Sequence, residues 1–281
     1  MRMPLDKAAQ IIQMLCEGCG IRTVERLSGI NRHTILDLLE VVGPKCQDFL
    51  NTNIRNLKID SCQCDELFGF VHCKEANNRA KNPEHGTQYI FLAIERVSKL
   101  ILTFCVGKRD AETAATFMAD LKKRIEPDSQ LTTDGFRGYL NAVYDAFAHR
   151  VQFAQQMKTY FNYGTPSGNV PKQRDPHNHP RYSPEGVRTV KTEIHIGNPE
   201  REKISTSHVE RTNLSVRLFE RRMTRLTLGY SKKLQNLIYS TALFACHFNW
   251  VRVHSAHGQT PAQKAGLTDH AWTIEELLQS E

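Results

Sequence analysis

The chain has 281 residues, of which 40% are hydrophobic and 24% are charged, and it carries a formal net charge of +7 at pH 7. This length suits one large domain with a smaller one beside it. No apolar run reaches roughly 18 residues and the N terminus lacks an apolar signal stretch, so we expect a cytoplasmic protein with no membrane contact. The positive charge predicts an acidic partner such as nucleic acid.

Residues 1–50 predict a small all-α unit with a helix-turn-helix pattern. Apolar residues recur at helical spacing over 5–18, 21–29 and 33–42, and Asn31 is a candidate N-cap for the third helix. In this motif the start of the last helix meets base edges in the major groove. The candidate DNA contacts are therefore Asn31, Arg32, His33 and Thr34. A three-helix unit that binds no DNA fits the same pattern.

Residues 57–255 predict an α+β domain. Three strands lie within 57–73, 88–95 and 100–108, and they are followed by a helix over 110–126, a short strand that ends at Asp134, a second helix and a further strand. The order βββαβαβ is typical of the ribonuclease H-like fold. A basic insertion rich in Pro and Gly interrupts the pattern at about 157–203, and residues 256–281 form a C-terminal tail.

Three carboxylates are candidates for a metal site. Asp65 lies in the first strand and Asp134 at the end of the fourth, and these strands are neighbours in the ribonuclease H-like topology. Phosphoryl transfer on DNA needs divalent ions held by oxygen ligands. Strand alternation puts Asp65 on the same face as Gln63 and on the opposite face from Glu66. Glu210 would reach the site from a later helix, although a single acidic residue at a strand end is often only a turn or cap residue.

Most of the excess positive charge lies in residues 201–233, which contain nine Lys or Arg against three Glu. Such a run is often just a solvated helix face. Beside a metal site the same cations would accept the DNA backbone. The cysteines offer no comparable site, because Cys16 and Cys19 form a CxxC pair without the second pair that structural zinc requires. All eight cysteines are expected to be reduced.

Several segments carry a family resemblance. The chain reads CDELFGFV around Asp65, TTDGFRGY around Asp134 and ISTSHVERTNLSVRLFERRMTRLTLGYSKK around Glu210, and it ends with HGQTPAQKAGLTDHAWTIEELL. These segments resemble the DDE transposases of the bacterial insertion-sequence-one family over nearly the whole chain. The resemblance implies that Asp65, Asp134 and Glu210 are both the catalytic and the metal-binding residues, with Mg²⁺ or Mn²⁺ as the cofactor and two ions bound. The further DNA contacts that we expect are His208, Arg211, Arg217, Arg221, Arg222 and Arg225.

The resulting functional prediction is a transposase that cleaves double-stranded DNA at transposon ends and joins the freed ends to target DNA. Because two ends must be held together, we expect a homodimer or a higher oligomer, associated with the bacterial nucleoid when DNA is bound. One alternative is a ribonuclease H-like nuclease that hydrolyses without joining. The other is a catalytically inactive, transposase-derived DNA-binding protein.

Overall fold

A computed structural model describes residues 3–160 and 187–280 and shows a mixed α/β protein. Its six-stranded sheet has the order β3-β2-β1-β4-β5-β6. The strands are β1 (Ser61–Val71), β2 (Gly86–Glu95), β3 (Ile101–Gly107), β4 (Gln130–Thr133), β5 (Gln152–Tyr160) and β6 (Val187–Ile196). The strands β1, β2 and β3 pair antiparallel, whereas β4 runs parallel to both β1 and β5. The expectation that the first and fourth strands are neighbours is confirmed.

Helices cover both faces of this sheet and form an extension at its side. They are α1 (Leu5–Cys16), α2 (Ile21–Ser28), α3 (Arg32–Asn53), α4 (Ala111–Arg124), α5 (Gly138–Phe147), α6 (Ser207–Phe219), α7 (Leu234–Cys246), α8 (Pro261–Lys264) and α9 (Ile274–Gln279). On one face, Phe117 of α4 and Tyr139 of α5 pack against Phe91 of β2. On the other face, the start of α6 is bonded to β1 through Gln63. Residues of the sheet and of the helices share one hydrophobic core.

The first three helices form where the apolar periodicity predicts them. Gly29, at φ 72°, ends α2, and the side chain of Asn31 accepts a hydrogen bond from the backbone N–H of His33 at 2.9 Å, so the predicted N-cap is present. The third helix is longer than the predicted 33–42, because it continues through Pro44 to Asn53. Its second half buries Phe49 and other apolar side chains. The free energy gained by this burial outweighs the loss of the backbone hydrogen bond that Pro44, which has no N–H group, does not make.

A glycine lets α3 and α7 approach closely. A Cβ atom added at Gly43 would lie 2.3 Å from the Cβ of Tyr239. Any larger residue there would push α7 away, which links the N-terminal helices to the C-terminal part of the chain. Whether these helices act as a DNA-reading unit stays a prediction.

The last long helical stretch of the chain changes form along its length. It begins at Leu234 and continues after Cys246 as a π-helical segment, His247–Val251. In this segment the side chain of Asn249 bonds both the N–H and the C=O of Ile101, each at 2.9 Å. Trp250 packs edge-on against Phe49 at 4.8 Å and also contacts Trp272 of the C-terminal tail. The tail therefore packs back onto the protein.

Residues 161–186, the larger part of the predicted 157–203 insertion, lie outside the described residues. The strands before and after them, β5 and β6, pair antiparallel. All eight cysteines are free thiols, as expected. Within residues 3–160 and 187–280, the structure contains no helix that combines the length and apolar character needed to cross a membrane.

Candidate active site

Two neighbouring strands bring three carboxylates together. Parallel pairing puts Cys64 of β1 opposite Thr133 of β4, so the residues that follow, Asp65 and Asp134, lie next to each other. One carboxylate oxygen from each of Asp65, Glu66 and Asp134 lies within 4.8 Å of the other two. We call these three residues the carboxylate cluster.

Sequence analysis missed Glu66 as a member of this cluster. Strand alternation does place Glu66 and Asp65 on opposite faces, because Asp65 contacts α6 whereas Glu66 lies on the face covered by α4 and α5. Asp134, however, lies just beyond the end of β4, where a side chain is not confined to one face. Its carboxylate can therefore approach both acidic residues of β1. The adjacent pair in CDELFGFV was the only available signal.

Asp65 is held in place from two sides. Its Oδ1 accepts a hydrogen bond from the N–H of Glu66 at 2.9 Å, and its Oδ2 accepts one from the side-chain amide of Asn213 at 2.8 Å. Burial, reinforced by the charges of Asp134 and Glu66, raises the pKa of Asp65 to about 7. Such a carboxylate is strongly stabilised by a bound cation.

Asp134 is fixed by the turn that follows β4. Its Oδ1 accepts from the N–H of Phe136 at 3.0 Å, and the amide of Gln155 donates to the backbone carbonyl of Asp134 at 2.6 Å. Gln155 is buried and also bonds Thr133, so it fixes the turn to β4 and β5. Burial raises the pKa of Asp134 as well.

Glu66 is buried and bonded to an arginine. Its side chain is 2% exposed, and Arg109 donates to its Oε2 at 3.0 Å. The same guanidinium group bonds Asp134 at 3.3 Å and lies over the ring of Phe136. The buried hydroxyl of Tyr139 lies beside the carboxylate of Glu66, and neither this hydroxyl nor Oε1 of Glu66 has a hydrogen bond of normal geometry among the described residues. Burial, followed by the charge of Asp134, raises the pKa of Glu66 to about 7.

Glu210 approaches the cluster from α6. The buried side chain of Gln63 accepts hydrogen bonds from the N–H groups of His208 and Val209, at 2.9 and 3.1 Å, which fixes the start of α6 above β1. The carboxylate of Glu210 accepts from Lys158 at 2.5 Å and from Thr206 at 2.6 Å. Its charge contributes to the raised pKa values of Asp65 and Asp134. The structure thus places Glu210 near the cluster but pairs it with a lysine.

The cluster fits divalent ions that prefer oxygen ligands. Its three carboxylates converge, so that one oxygen of each lies within reach of a single ion. On the side of α6, the Oδ1 of Asn213 is buried and has no hydrogen-bond partner within the described residues. Oxygen donors of this kind suit Mg²⁺ or Mn²⁺.

The predicted DNA contacts fall into two groups. On α6, Arg211 is exposed, burial lowers the pKa of His208, and Arg217 donates to the backbone carbonyls of Phe68 and Met223. Farther away, exposed Arg32 and His33 of α3 line a groove together with the segment after α6. The other predicted contacts are exposed Asn31 and Arg225, half-buried Thr34 and Arg221, and Arg222, which is bonded to the carbonyl of Asn236.

Comparisons with known proteins add little. No protein-family model matches the chain, and no curated protein matches it. Among solved structures, the chain is similar to a piggyBac transposase in a synaptic complex with hairpin DNA, at 10% sequence identity and a TM-score of 0.42. The similarity covers 98% of this chain and 69% of that one. A similarity of this size does not establish a family or an activity for this chain.

Proposed function

We propose that this protein is a DNA transposase with a ribonuclease H-like catalytic domain, which cleaves DNA at transposon ends and joins the ends to target DNA. The observation that carries the proposal is the convergence of Asp65, Glu66 and Asp134 at neighbouring strands of the sheet. The strand order supports the ribonuclease H-like assignment. The segments around Asp65, Asp134 and Glu210 support membership of the insertion-sequence-one family.

Asp65, Asp134 and Glu66 would hold divalent ions, and Glu210 would complete the acidic site from α6. Bound there, Mg²⁺ or Mn²⁺ would activate the attacking oxygen and neutralise charge on the leaving oxygen. The amide of Asn213 orients Asp65, and the N–H of Phe136 orients Asp134. These second contacts hold the carboxylates in one geometry before substrate binds.

Several cations would position the DNA. Arg109 already touches two members of the cluster, so its charge balances the carboxylates. Lys158, which pairs with Glu210, would meet a phosphate that flanks the scissile bond, and exposed Arg211 of α6 would contact the DNA farther from that bond. Since two transposon ends must be joined in one event, the active form would be at least a dimer.

The test is strand transfer of a labelled duplex oligonucleotide, which carries the end of the element, into plasmid DNA with Mg²⁺ or Mn²⁺. We expect joined product with the wild type and none with Asp65→Asn or Glu210→Gln. The exposed carboxylate variant Glu126→Gln serves as a control and should join as the wild type does. Cleavage without joining would instead identify a nuclease. Binding without either reaction would identify a DNA-binding derivative.

A further inference from the structure

A second site lies away from the carboxylates, in a groove of about 900 Å³ between the N-terminal helices and residues 219–233. We call it the basic groove. One wall is formed by the end of α1, the start of α2 and the first turns of α3, and the other by the segment that joins α6 to α7. Six cationic side chains line the groove: Arg22, Arg32, Arg221, Arg222, Lys232 and Lys233.

The three acidic side chains of the groove compensate little of this charge. Glu40 lies 3.7 Å from Lys233, so that pair is neutral. Burial raises the pKa of Glu220 to about 7, which reduces its negative charge at neutral pH. Asp37 is the remaining acid, and the groove therefore keeps a positive potential that favours a polyanion.

Two glycines leave room for an arginine within the groove. A Cβ atom at Gly20 would lie 3.6 Å from the Cγ of Arg221, and one at Gly229 would lie 3.1 Å from its Nε. The side chain of Arg221 therefore lies between the two walls. Arg222 is held differently, because its Nε bonds the carbonyl of Asn236. Arg221 is the better placed of the two to contact a phosphate.

An aromatic pair connects the groove with the strand that carries the catalytic carboxylates. The ring of Tyr230 lies 4.5 Å from that of Phe70 on β1, and the ammonium of Lys232 lies 3.4 Å above the Tyr230 ring. Phe70 follows Glu66 of the carboxylate cluster by four residues on the same face of β1, which is about 14 Å along the strand. One strand of nucleic acid could thus contact both sites.

We propose that the basic groove binds a single strand of DNA, in which a base stacks on the face of the Tyr230 ring that the exposed side chain of Lys232 now covers, and Arg221 and the displaced Lys232 bind phosphates. Cations beside aromatic rings are the general means of binding unpaired strands. The volume of the basic groove is of the size that encloses a small ligand or a few nucleotides of one strand. A duplex is wider, because its two backbones are separated by a major groove about 12 Å across. The proposal rests on the proposed function and specifies that this part of the protein binds DNA in its single-stranded form.

The test is fluorescence anisotropy of a labelled thymidine oligonucleotide with the full chain, in EDTA and over a range of salt concentrations. We expect Tyr230→Leu and Arg221→Ala each to weaken binding by about tenfold or more, as the loss of one stacked base or one phosphate contact does. Arg221→Ala and Lys232→Ala should each reduce the salt dependence by about 0.7 in the log–log slope, whereas Tyr230→Leu should leave it unchanged. Tyr230→Phe and the distant exposed variant Lys122→Ala should bind as the wild type does.

Lys232→Ala is the variant least able to disturb folding, because Lys232 is exposed, and it should weaken binding severalfold. The proposal is overturned if these three groove variants bind within twofold of the wild type, or if an equal length of duplex displaces the labelled strand more effectively than unlabelled single strand. The EDTA removes metal-dependent chemistry. An Asp65→Asn protein that no longer joins strands but binds the oligonucleotide normally would therefore separate the two proposals.

Discussion

Two buried glutamates, Glu66 in the carboxylate cluster and Glu220 at the end of α6, show what distinguishes a site from packing. Burial is the largest cause that raises the pKa of each, in both cases to about 7. The two oxygens of Glu220 accept hydrogen bonds from the hydroxyls of Ser240 and Thr241, at 2.9 and 3.4 Å. Glu66 accepts a hydrogen bond from Arg109, lies beside the hydroxyl of Tyr139 and converges with two other carboxylates. A raised pKa therefore marks burial, whereas the convergence of several carboxylates marks the place for a cation.

The largest expected difference between the two glutamates is in catalysis. Glu66→Gln should reduce strand cleavage by about 10³-fold, or about 4 kcal/mol in the barrier, because a neutral amide binds a divalent ion poorly. Glu220→Gln should leave the rate within about threefold of the wild type, since its partners are hydroxyl groups away from the cluster. Single-turnover cleavage of a labelled duplex in saturating Mn²⁺ measures both.

Each variant controls for the other, because both make the same chemical change at a buried glutamate. Thermal unfolding of the two proteins shows whether a loss of rate follows from a loss of fold. If Glu66→Gln retained the wild-type rate, Glu66 would be a buried structural residue like Glu220. The metal site would then consist of Asp65, Asp134 and Glu210.

A smaller difference is expected in stabilisation by metal. An ion that binds only the folded state at 100 times its dissociation constant stabilises it by about 2.7 kcal/mol. Mn²⁺ should therefore raise the free energy of unfolding of the wild type and of Glu220→Gln by that amount, as measured by urea unfolding at fixed pH. Asp65→Asn, which lacks one ligand of the cluster, should show little increase. Equal stabilisation of Asp65→Asn would place the ion elsewhere.

The sequence was sufficient to predict the elements that depend on local patterns. The strand β1 and the cap at Asn31 are set by neighbouring residues, and both are present. The predicted end of the third helix was wrong, because the burial of Phe49 against Trp250, some 200 residues later, extends α3 past Pro44. Contacts between distant segments of this kind leave no local signal.

The site was predictable only where its geometry follows from the order of the strands. Asp65 and Asp134 lie at strand positions that topology makes adjacent, so their proximity follows from the strand order. Glu66 was overlooked because alternation separates it from Asp65, and only the position of Asp134 just past the end of β4 joins the two faces. The pairing of Glu210 with Lys158 depends on how far β5 continues past the end of β4, and the sequence does not indicate this length.

The smallest expected difference concerns stability against pH. The pKa of Glu220 is raised from 4.5 to about 7, so the folded state binds more protons than the unfolded state between these values. Its contribution to the free energy of unfolding therefore falls as pH rises through that window. Between pH 5 and pH 8 the wild type should lose roughly 2 kcal/mol relative to Glu220→Gln, by urea unfolding in EDTA. Glu66 titrates in both proteins, so its contribution cancels in the difference between their free energies of unfolding. If that difference were independent of pH, Glu220 would be ionised throughout this range.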